Sequence, residues 1–139
     1  MNVSEIMTTD MVTLNPSENC VEASKRMRDY NIGDVLVQQE ENLIGILTDR
    51  DIAIRCVSEN LNPNEIQVGE ILTADPIEVN PSTDVGEAAQ IMADNKIRRL
   101  PVTEEGQLVG IVSLGDLAVD APEESDVEEV LEDISEPTR

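Results

Sequence analysis

The chain repeats itself at a constant offset of 65 residues, and this duplication restricts the possible folds more than any other feature of the sequence. Residues 3–56 align with residues 68–121 without a gap, and 20 of the 54 aligned pairs are identical. Internal repeats of this kind are typical of proteins that pack several copies of one structural unit. We therefore divide the chain into a first repeat at 1–60, a linker at 61–67, a second repeat at 68–121 and an unduplicated tail at 122–139.

Within each repeat, the hydrophobic periodicity predicts the order β-α-β-β-α. Apolar and small residues fall at helical spacing at Cys20, Ala23, Ser24 and Met27, and again sixty-five residues later. The first repeat is predicted to hold a strand at 11–14, a helix capped by Ser17 that ends near Asn31, strands at 35–38 and 43–47, and a helix at 49–57. The second is predicted to hold a strand at 76–79, a helix capped by Ser82 that ends near Lys96, strands at 100–103 and 108–112, and a helix at 114–120. We expect an α/β (α+β) fold with the two repeats packed about a pseudo-twofold axis, forming one globular module.

The charge balance narrows the class of partner. The sequence has 30 acidic and 9 basic residues, for a formal net charge of −21. Because nucleic acids and anionic membranes attract proteins through Lys and Arg, we expect neither as a partner. No apolar run approaches the roughly 20 residues of a membrane span, and the start of the chain lacks the pattern of a signal peptide. A cytoplasmic location is expected, either in a salty cytosol that screens the charge or as an ordinary acidic protein.

The same composition argues against an enzyme. The sequence has no histidine, which excludes a Ser-His-Asp triad, and its two cysteines are too few for a Cys₄ zinc site. Cys20 and Cys56 are expected to be buried free thiols. Paired acids such as Asp49 and Asp51 could hold Mg²⁺, but helix caps or solvated surface explain them more simply. We expect no catalytic residue, no metal site and no required cofactor, with Mg²⁺ entering only together with ATP.

A polar corner recurs where the last strand of each repeat becomes a helix. Thr48 is followed three residues later by Asp51, and Ser113 by Asp116. This [ST]-x-x-[DE] spacing is a capping box, which explains both pairs structurally. The same groups could instead serve a ligand, since a carboxylate can accept hydrogen bonds from a ribose diol and a helix start attracts phosphate.

These features together resemble a tandem pair of cystathionine-β-synthase (CBS) domains, the Bateman module. The resemblance covers residues 3–121 and rests on the gap-free pair of β-α-β-β-α repeats, on IRRLPV at 97–102, and on the corners GILTDRD and GIVSLGD. It implies a stand-alone prokaryotic regulatory module that binds adenosine-containing ligands, such as AMP, ADP or ATP, in clefts between the repeats.

The resemblance also implies which residues bind the ligand. In the family pattern, the corner hydroxyl and carboxylate contact ribose and phosphate, a residue just before the first hairpin strand often contacts phosphate, and apolar strand residues flank adenine. The matching positions here are Thr48, Asp51, Ser113 and Asp116 for the corners, Arg99 for phosphate, and Val35, Ile46, Leu100 and Ile111 for the ring.

The two corners differ in charge. Asp34 stands in the first repeat where the second has Arg99, and an acid there would oppose a phosphate. Arg50 supplies a cation at the first corner, where the second has Gly115. We therefore predict unequal affinities, with the Arg99 corner better suited to a phosphorylated ligand.

The tail and the oligomeric state complete the predictions. In the tail, Val127, Val130, Leu131 and Ile134 fall at helical spacing, which predicts a short acidic helix whose apolar stripe docks on its own domain or on a second subunit. Similar modules usually dimerise, so a homodimer is expected, with an unidentified regulated protein as a further partner. The alternative function is a non-catalytic interaction or oligomerisation protein without a physiological nucleotide.

Overall fold

The computed structural model describes residues 1–120, and its internal contacts divide the chain into two compact units. The repeat-1 unit is formed by Val12–Pro76. Among the described residues, the repeat-2 unit is formed by Met1–Met11 together with residues 77–120. The start of the chain therefore packs with the second repeat, while the equivalent segment beginning at Val68 packs with the first. The predicted tail helix at 122–139 lies outside the described residues.

The repeat-1 unit is a small mixed sheet with helices. Its elements are β1 (Thr13–Leu14), α1 (Cys20–Tyr30), β2 (Asp34–Gln39), β3 (Asn42–Thr48), α2 (Asp49–Ile52), a π-helical continuation (Ala53–Val57), a 3₁₀ turn (Val68–Glu70) and β4 (Thr73–Ala74). β1 pairs with β2 in parallel, and β3 lies antiparallel between β2 and β4.

The repeat-2 unit builds the same arrangement with shorter outer strands. Its elements are a 3₁₀ turn (Val3–Glu5), α3 (Val85–Asn95), β5 (Arg99–Glu104), β6 (Gln107–Ser113) and α4 (Leu114–Asp120). β5 and β6 form an antiparallel hairpin. Val79 makes a parallel bridge to Val102, and Thr8 makes an antiparallel bridge to Ile111. These bridges take the places of β1 and β4, and the predicted mixed α/β class is confirmed.

Two predicted strands are shorter than the sequence suggested. The strand expected at 11–14 is reduced to Thr13–Leu14, and the strand expected at 76–79 is reduced to the single bridge at Val79. In both repeats, an Asn-Pro-Ser turn begins directly after these residues and removes the chain from the sheet, because proline cannot donate to a ladder. The strands at Thr73–Ala74 and the bridge at Thr8 were not predicted.

The predicted helix starts were wrong by two residues. Ser17 and Ser82 do not cap the helices, because their backbone N–H groups and hydroxyls donate to the side chains of Asn15 and Asn80 in tight turns. The caps are Asn19, which accepts from the N–H of Glu22, and Asp84, which accepts from the N–H of Gly86. The predicted ends are confirmed, since Asn31 and Lys96 adopt the left-handed conformation that closes α1 and α3.

Each hairpin turns through two residues with positive φ. Glu40 and Glu41 have φ of 51° and 71°, and Glu105 and Gly106 have φ of 53° and 83°. This pattern is typical of a type I′ turn, whose twist matches that of the flanking strands. The two predicted hairpins are thus confirmed.

Each unit has its own apolar core, and each core contains residues from an exchanged segment, meaning the first residues of the other repeat: 1–11 in the repeat-2 unit and 68–76 in the repeat-1 unit. Val68 and Ile71 are buried with the residues of α1, β2 and β3, whereas Val3 and Ile6 are buried with those of α3, β5 and β6. Cys20 and Cys56 are free and buried in the repeat-1 core, as predicted. In both units, the last long strand runs directly into a helix, which forms a strand-to-helix corner at the end of β3 and of β6.

Candidate functional site

Both predicted capping boxes are present at the corners. In the repeat-1 unit, the Thr48 hydroxyl accepts from the N–H of Asp51 at 3.0 Å, and the Asp51 carboxylate accepts from the N–H of Thr48 at 3.0 Å. In the repeat-2 unit, Ser113 and Asp116 form the same reciprocal pair at 3.2 and 3.0 Å. The two carboxylates therefore have a defined orientation at the first turn of α2 and of α4.

The Asp51 carboxylate is largely enclosed. Its residue is only 9% exposed. The Thr73 hydroxyl lies 3.4 Å from each carboxylate oxygen, and Nε of Arg55 lies 3.9 Å from Oδ1. Thr73 and Arg55 were not among the predicted residues, because one comes from the exchanged segment and the other follows one turn later on the same helix. These contacts explain the position of Asp51 without a ligand.

The Asp116 corner is more open and carries a different charge. Asp116 and Ser113 are both half-buried. Arg99 is the direct register partner of Ser113 across β5 and β6, so this guanidinium-bearing residue lies opposite the hydroxyl residue of the corner. In the repeat-1 unit, the partner of Thr48 is Asp34. The charge difference read from the sequence therefore falls at equivalent places in the two units.

The remaining predicted residues divide by exposure. Val35 is 1% exposed and Leu100 is 0% exposed, so both belong to the cores of their units. Ile46 and Ile111 are half-buried on β3 and β6, and Arg50 is exposed in the first turn of α2. Only the half-buried strand residues leave apolar surface for a ring beside the corners.

Close packing within each unit explains why glycine occupies positions 45 and 110, three residues before the corner hydroxyls. A Cβ atom on Gly45 would lie 2.6 Å from the carbonyl oxygen of Thr73, and one on Gly110 would lie 2.6 Å from the sulfur of Met7. The exchanged segments therefore pass closer to β3 and β6 than any side chain would allow. The group that approaches each glycine within its unit is protein backbone or a methionine side chain.

Two cavities in the described part of the chain lie away from the predicted residues. One, of about 390 Å³ in the repeat-1 unit, is lined by Val21, Ser24, Lys25, Arg28, Ile52, Val57 and Pro63. The other, of about 270 Å³, belongs to the repeat-2 unit and includes Glu87 and Ile91 of α3 in its lining. Within residues 1–120, no group of three or more acidic or cysteine side chains is arranged to hold a metal ion. No helix in this range combines the length and the apolar character needed to cross a bilayer.

The two units, each with a capped strand-to-helix corner, define a tandem-repeat module. The family model for the CBS domain matches residues 3–57 and 68–120. The chain therefore belongs to the CBS domain family, as the resemblance implied.

Relatives and solved structures agree with this assignment. The chain is 39% identical over 118 residues to the CBS domain-containing protein YhcV of Bacillus subtilis, covering 85% of this chain and 84% of that one. The crystal structure of Hypoxic Response Protein I with two coordinated zinc ions matches with a TM-score of 0.78 at 31% identity, covering 88% and 100% of the two chains. CBSX2, solved in complex with AMP, matches with a TM-score of 0.73 at 24% identity over 85% and 93% of the chains, a likeness of fold.

Proposed function

We propose that the protein is a regulatory module that binds an adenosine-containing nucleotide, such as AMP, ADP or ATP, at the Arg99–Ser113–Asp116 corner. The observation that supports this proposal is the register pairing of Arg99 with Ser113, the residue whose hydroxyl forms a capping box with the Asp116 carboxylate. A guanidinium suits a phosphate, a carboxylate suits the ribose diol, and the half-buried Ile111 offers apolar surface for the base.

The first corner is the weaker candidate. There, Asp34 takes the place of Arg99, and the Asp51 carboxylate already contacts Thr73 and Arg55. A ligand would have to displace these contacts and approach an acid. We therefore propose that the repeat-2 corner has the higher affinity, and that Arg50 gives the repeat-1 corner at most a secondary role.

The strongly acidic surface repels an anionic ligand, and the salt concentration determines how much this repulsion lowers the affinity. The net charge of −21 repels a nucleotide at long range, but the Debye length falls from about 8 Å at 0.15 M salt to about 3 Å at 1 M. A guanidinium in direct contact with a phosphate is screened much less. Affinity should consequently rise with salt at low ionic strength.

Isothermal titration at several KCl concentrations tests the proposal, with AMP, ADP, ATP, NAD and S-adenosylmethionine as ligands. We expect saturable binding of at least one adenine nucleotide and a loss of roughly tenfold or more in Arg99→Ala, since charge-assisted hydrogen bonds contribute about 1.5–3 kcal/mol. Arg28→Ala is the matched control, because Arg28 is an exposed arginine paired only with the neighbouring Asp29 among the ion pairs of the described residues. A ligand panel without saturation, or equal effects of both substitutions, would refute the proposal.

An oligomerisation role is the alternative, and one observation favours it. In the repeat-1 unit, Ile54, Val57 and Leu61 are 49%, 61% and 43% exposed, which is unusual for large apolar side chains close together in sequence. Sedimentation velocity of the wild type and of Val57→Glu distinguishes the roles: a dimer that the substitution dissociates, combined with a flat nucleotide panel, would favour oligomerisation without a ligand.

A further inference from the structure

A cavity of about 270 Å³ runs along α3 in the repeat-2 unit, away from the corner discussed above. Its lining includes Glu78, Asn80, Thr83, Glu87, Ile91 and Thr103. Two of these side chains are carboxylates, and no basic residue lines the cavity in the described part of the chain. None of these residues belongs to the proposed nucleotide corner.

The equivalent place in the repeat-1 unit is filled by a guanidinium. Arg26 reaches from α1 and donates through Nη1 to the carbonyl oxygen of Thr13 and through Nη2 to Oε1 of Glu18 at 2.8 Å. Gln38 donates to the Thr13 hydroxyl at 3.1 Å and completes the same polar cluster. The repeat-1 unit thus fills this polar cluster with a cation from its own chain, the guanidinium of Arg26.

The 65-residue offset maps that cluster onto the cavity. Thr13, Glu18, Arg26 and Gln38 correspond to Glu78, Thr83, Ile91 and Thr103, all of which line the cavity. The repeat-2 unit therefore has an apolar side chain where the repeat-1 unit has its guanidinium, and the space is left open. The cavity therefore corresponds to the space that the Arg26 side chain fills in the repeat-1 unit.

The carboxylate that contacts Arg26 in the repeat-1 unit, Glu18, is replaced by Thr83, but two other carboxylates line the cavity. Glu87 corresponds to Glu22, and Glu78 adds a carboxylate where the repeat-1 unit has Thr13. The hydroxyl of Thr103, a residue only 6% exposed, donates to Oε1 of Glu78 at 2.9 Å and so fixes that carboxylate. Two carboxylates beside an apolar wall fit a planar cation on an aliphatic stem.

We propose that this cavity binds an alkylguanidinium group, with Glu78 and Glu87 facing the cation and Ile91 packing against its stem. The group comes either from a free small molecule or from an arginine side chain of a partner protein. The proposal is independent of nucleotide binding, because it uses other residues and a ligand of opposite charge.

Isothermal titration with butylguanidinium at constant KCl is the first test, with tetramethylammonium as a cation of equal charge that lacks hydrogen-bond donors. We expect saturable binding of butylguanidinium alone, and a loss of roughly tenfold or more in the double variant E78Q/E87Q. The matched control is E40Q/E41Q, which removes the same charge from an exposed hairpin turn. Equal binding of the two cations, or equal losses in both double variants, would reduce the effect to general attraction by an acidic protein and overturn the proposal.

A swap between the repeats is the second test. Ile91→Arg should supply the missing guanidinium in cis and abolish butylguanidinium binding, whereas Ile91→Leu should retain it. Reciprocally, Arg26→Ala should lower the melting temperature, and millimolar butylguanidinium should restore part of the loss. If Ile91→Arg fails to fold by circular dichroism, the glutamate variants and the rescue of Arg26→Ala still decide, and absence of both effects overturns the proposal.

The source of the group is separated by comparing butylguanidinium with a capped Ala-Arg-Ala peptide. Tighter binding of the peptide supports the site and identifies a protein side chain as the occupant. Tighter binding of butylguanidinium supports the site and identifies a small molecule. Failure of both probes to saturate overturns the proposal.

Discussion

The repeat-1 and repeat-2 units share their elements and differ in their charges. At the strand-to-helix corner, one unit presents Asp34 and an enclosed Asp51, while the other presents Arg99 and a half-buried Asp116. Beside the first long helix of each unit, the difference has the opposite sign. The repeat-1 unit has the guanidinium of Arg26 there, whereas the equivalent cavity of the repeat-2 unit is lined by carboxylates and by no basic residue of the described chain. Duplication has kept the framework and made the polar sites unequal, so the repeat-2 unit should bind an anionic ligand at its corner and a cation in its cavity, whereas the equivalent places of the repeat-1 unit are occupied by its own side chains.

The largest expected effect concerns the exchanged segments. Val3→Asp places an unpaired charge in the repeat-2 core and should cost about 3–5 kcal/mol, since Val3 is 0% exposed. Hydrogen exchange followed by mass spectrometry should show the loss of protection in α3, β5 and β6. Ser4→Asp, an exposed neighbour with the same charge change, is the control. Loss of protection confined to α1, β2 and β3 would contradict the division into units.

A second prediction compares the two close glycine contacts. Gly45→Ala directs its Cβ at the backbone oxygen of Thr73, whereas the nearest atom to a Cβ on Gly110 is the sulfur at the far end of the Met7 side chain. Because backbone yields less than a flexible side chain, Gly45→Ala should cost about 1–3 kcal/mol and Gly110→Ala less. Urea unfolding measures both free energies.

The control for this pair is the double variant Gly110→Ala/Met7→Ala, whose added Cβ meets a shortened neighbour. A free energy of unfolding for Gly110→Ala lower than that for Gly45→Ala would reverse the order and contradict the argument.

A third prediction separates the two capping carboxylates. Asp51→Asn should cost about 1 kcal/mol, because the carboxylate caps α2 and also contacts Thr73 and Arg55. Asp116→Asn should cost less, since Asp116 is half-buried whereas Asp51 is only 9% exposed. Thermal unfolding of both variants is the measurement. Equal losses would show that the contacts of Thr73 and Arg55 add nothing to the capping box.

The smallest expected effect is a loss of folding stability at alkaline pH, which we expect from the buried thiol of the repeat-1 core. Burial, reinforced by the neighbouring Cys56, raises the pKa of the Cys20 thiol from 9.0 to about 11. The folded state then holds this proton more tightly than the unfolded state, so stability is complete below about pH 9 and falls as the pH rises towards 11.

The matched variant for this pH prediction is Cys20→Val, which installs the residue found at the equivalent position 85 of the second repeat. The difference in the free energy of unfolding between wild type and variant should change between pH 8 and pH 11. An unchanged difference over that range would refute the role of Cys20.

Local signals in the sequence predicted most of the fold. The helical stripes of α1 and α3, the hairpins and the capping boxes all rest on residues within a few positions of one another, and each was found where expected. The helix starts were missed because several side chains compete to cap the same segment. Ser17 was the stronger candidate by spacing alone, but Asn15 engages it in a turn and leaves Asn19 as the cap.

Contacts between distant parts of the sequence could not be predicted in the same way. The repeat predicts that Val3 and Val68 are equivalent, but it does not say which core each enters. For the same reason, the enclosure of Asp51 by Thr73 was not foreseen. The alignment of the repeats did contain a signal for the cavity, because Arg26 is aligned with Ile91. That signal could be interpreted only once the contacts of Arg26 were known.

The exchange of segments also sets an order for biosynthesis. Every residue of the Val12–Pro76 unit has been made once the ribosome passes position 76, so this unit can fold while translation continues. Residues 1–11 emerge earlier, yet the strand that Thr8 pairs with is made about a hundred residues later. They must wait unpaired for their partner, and the repeat-2 unit can be completed only after β6 at Gln107–Ser113 has been translated.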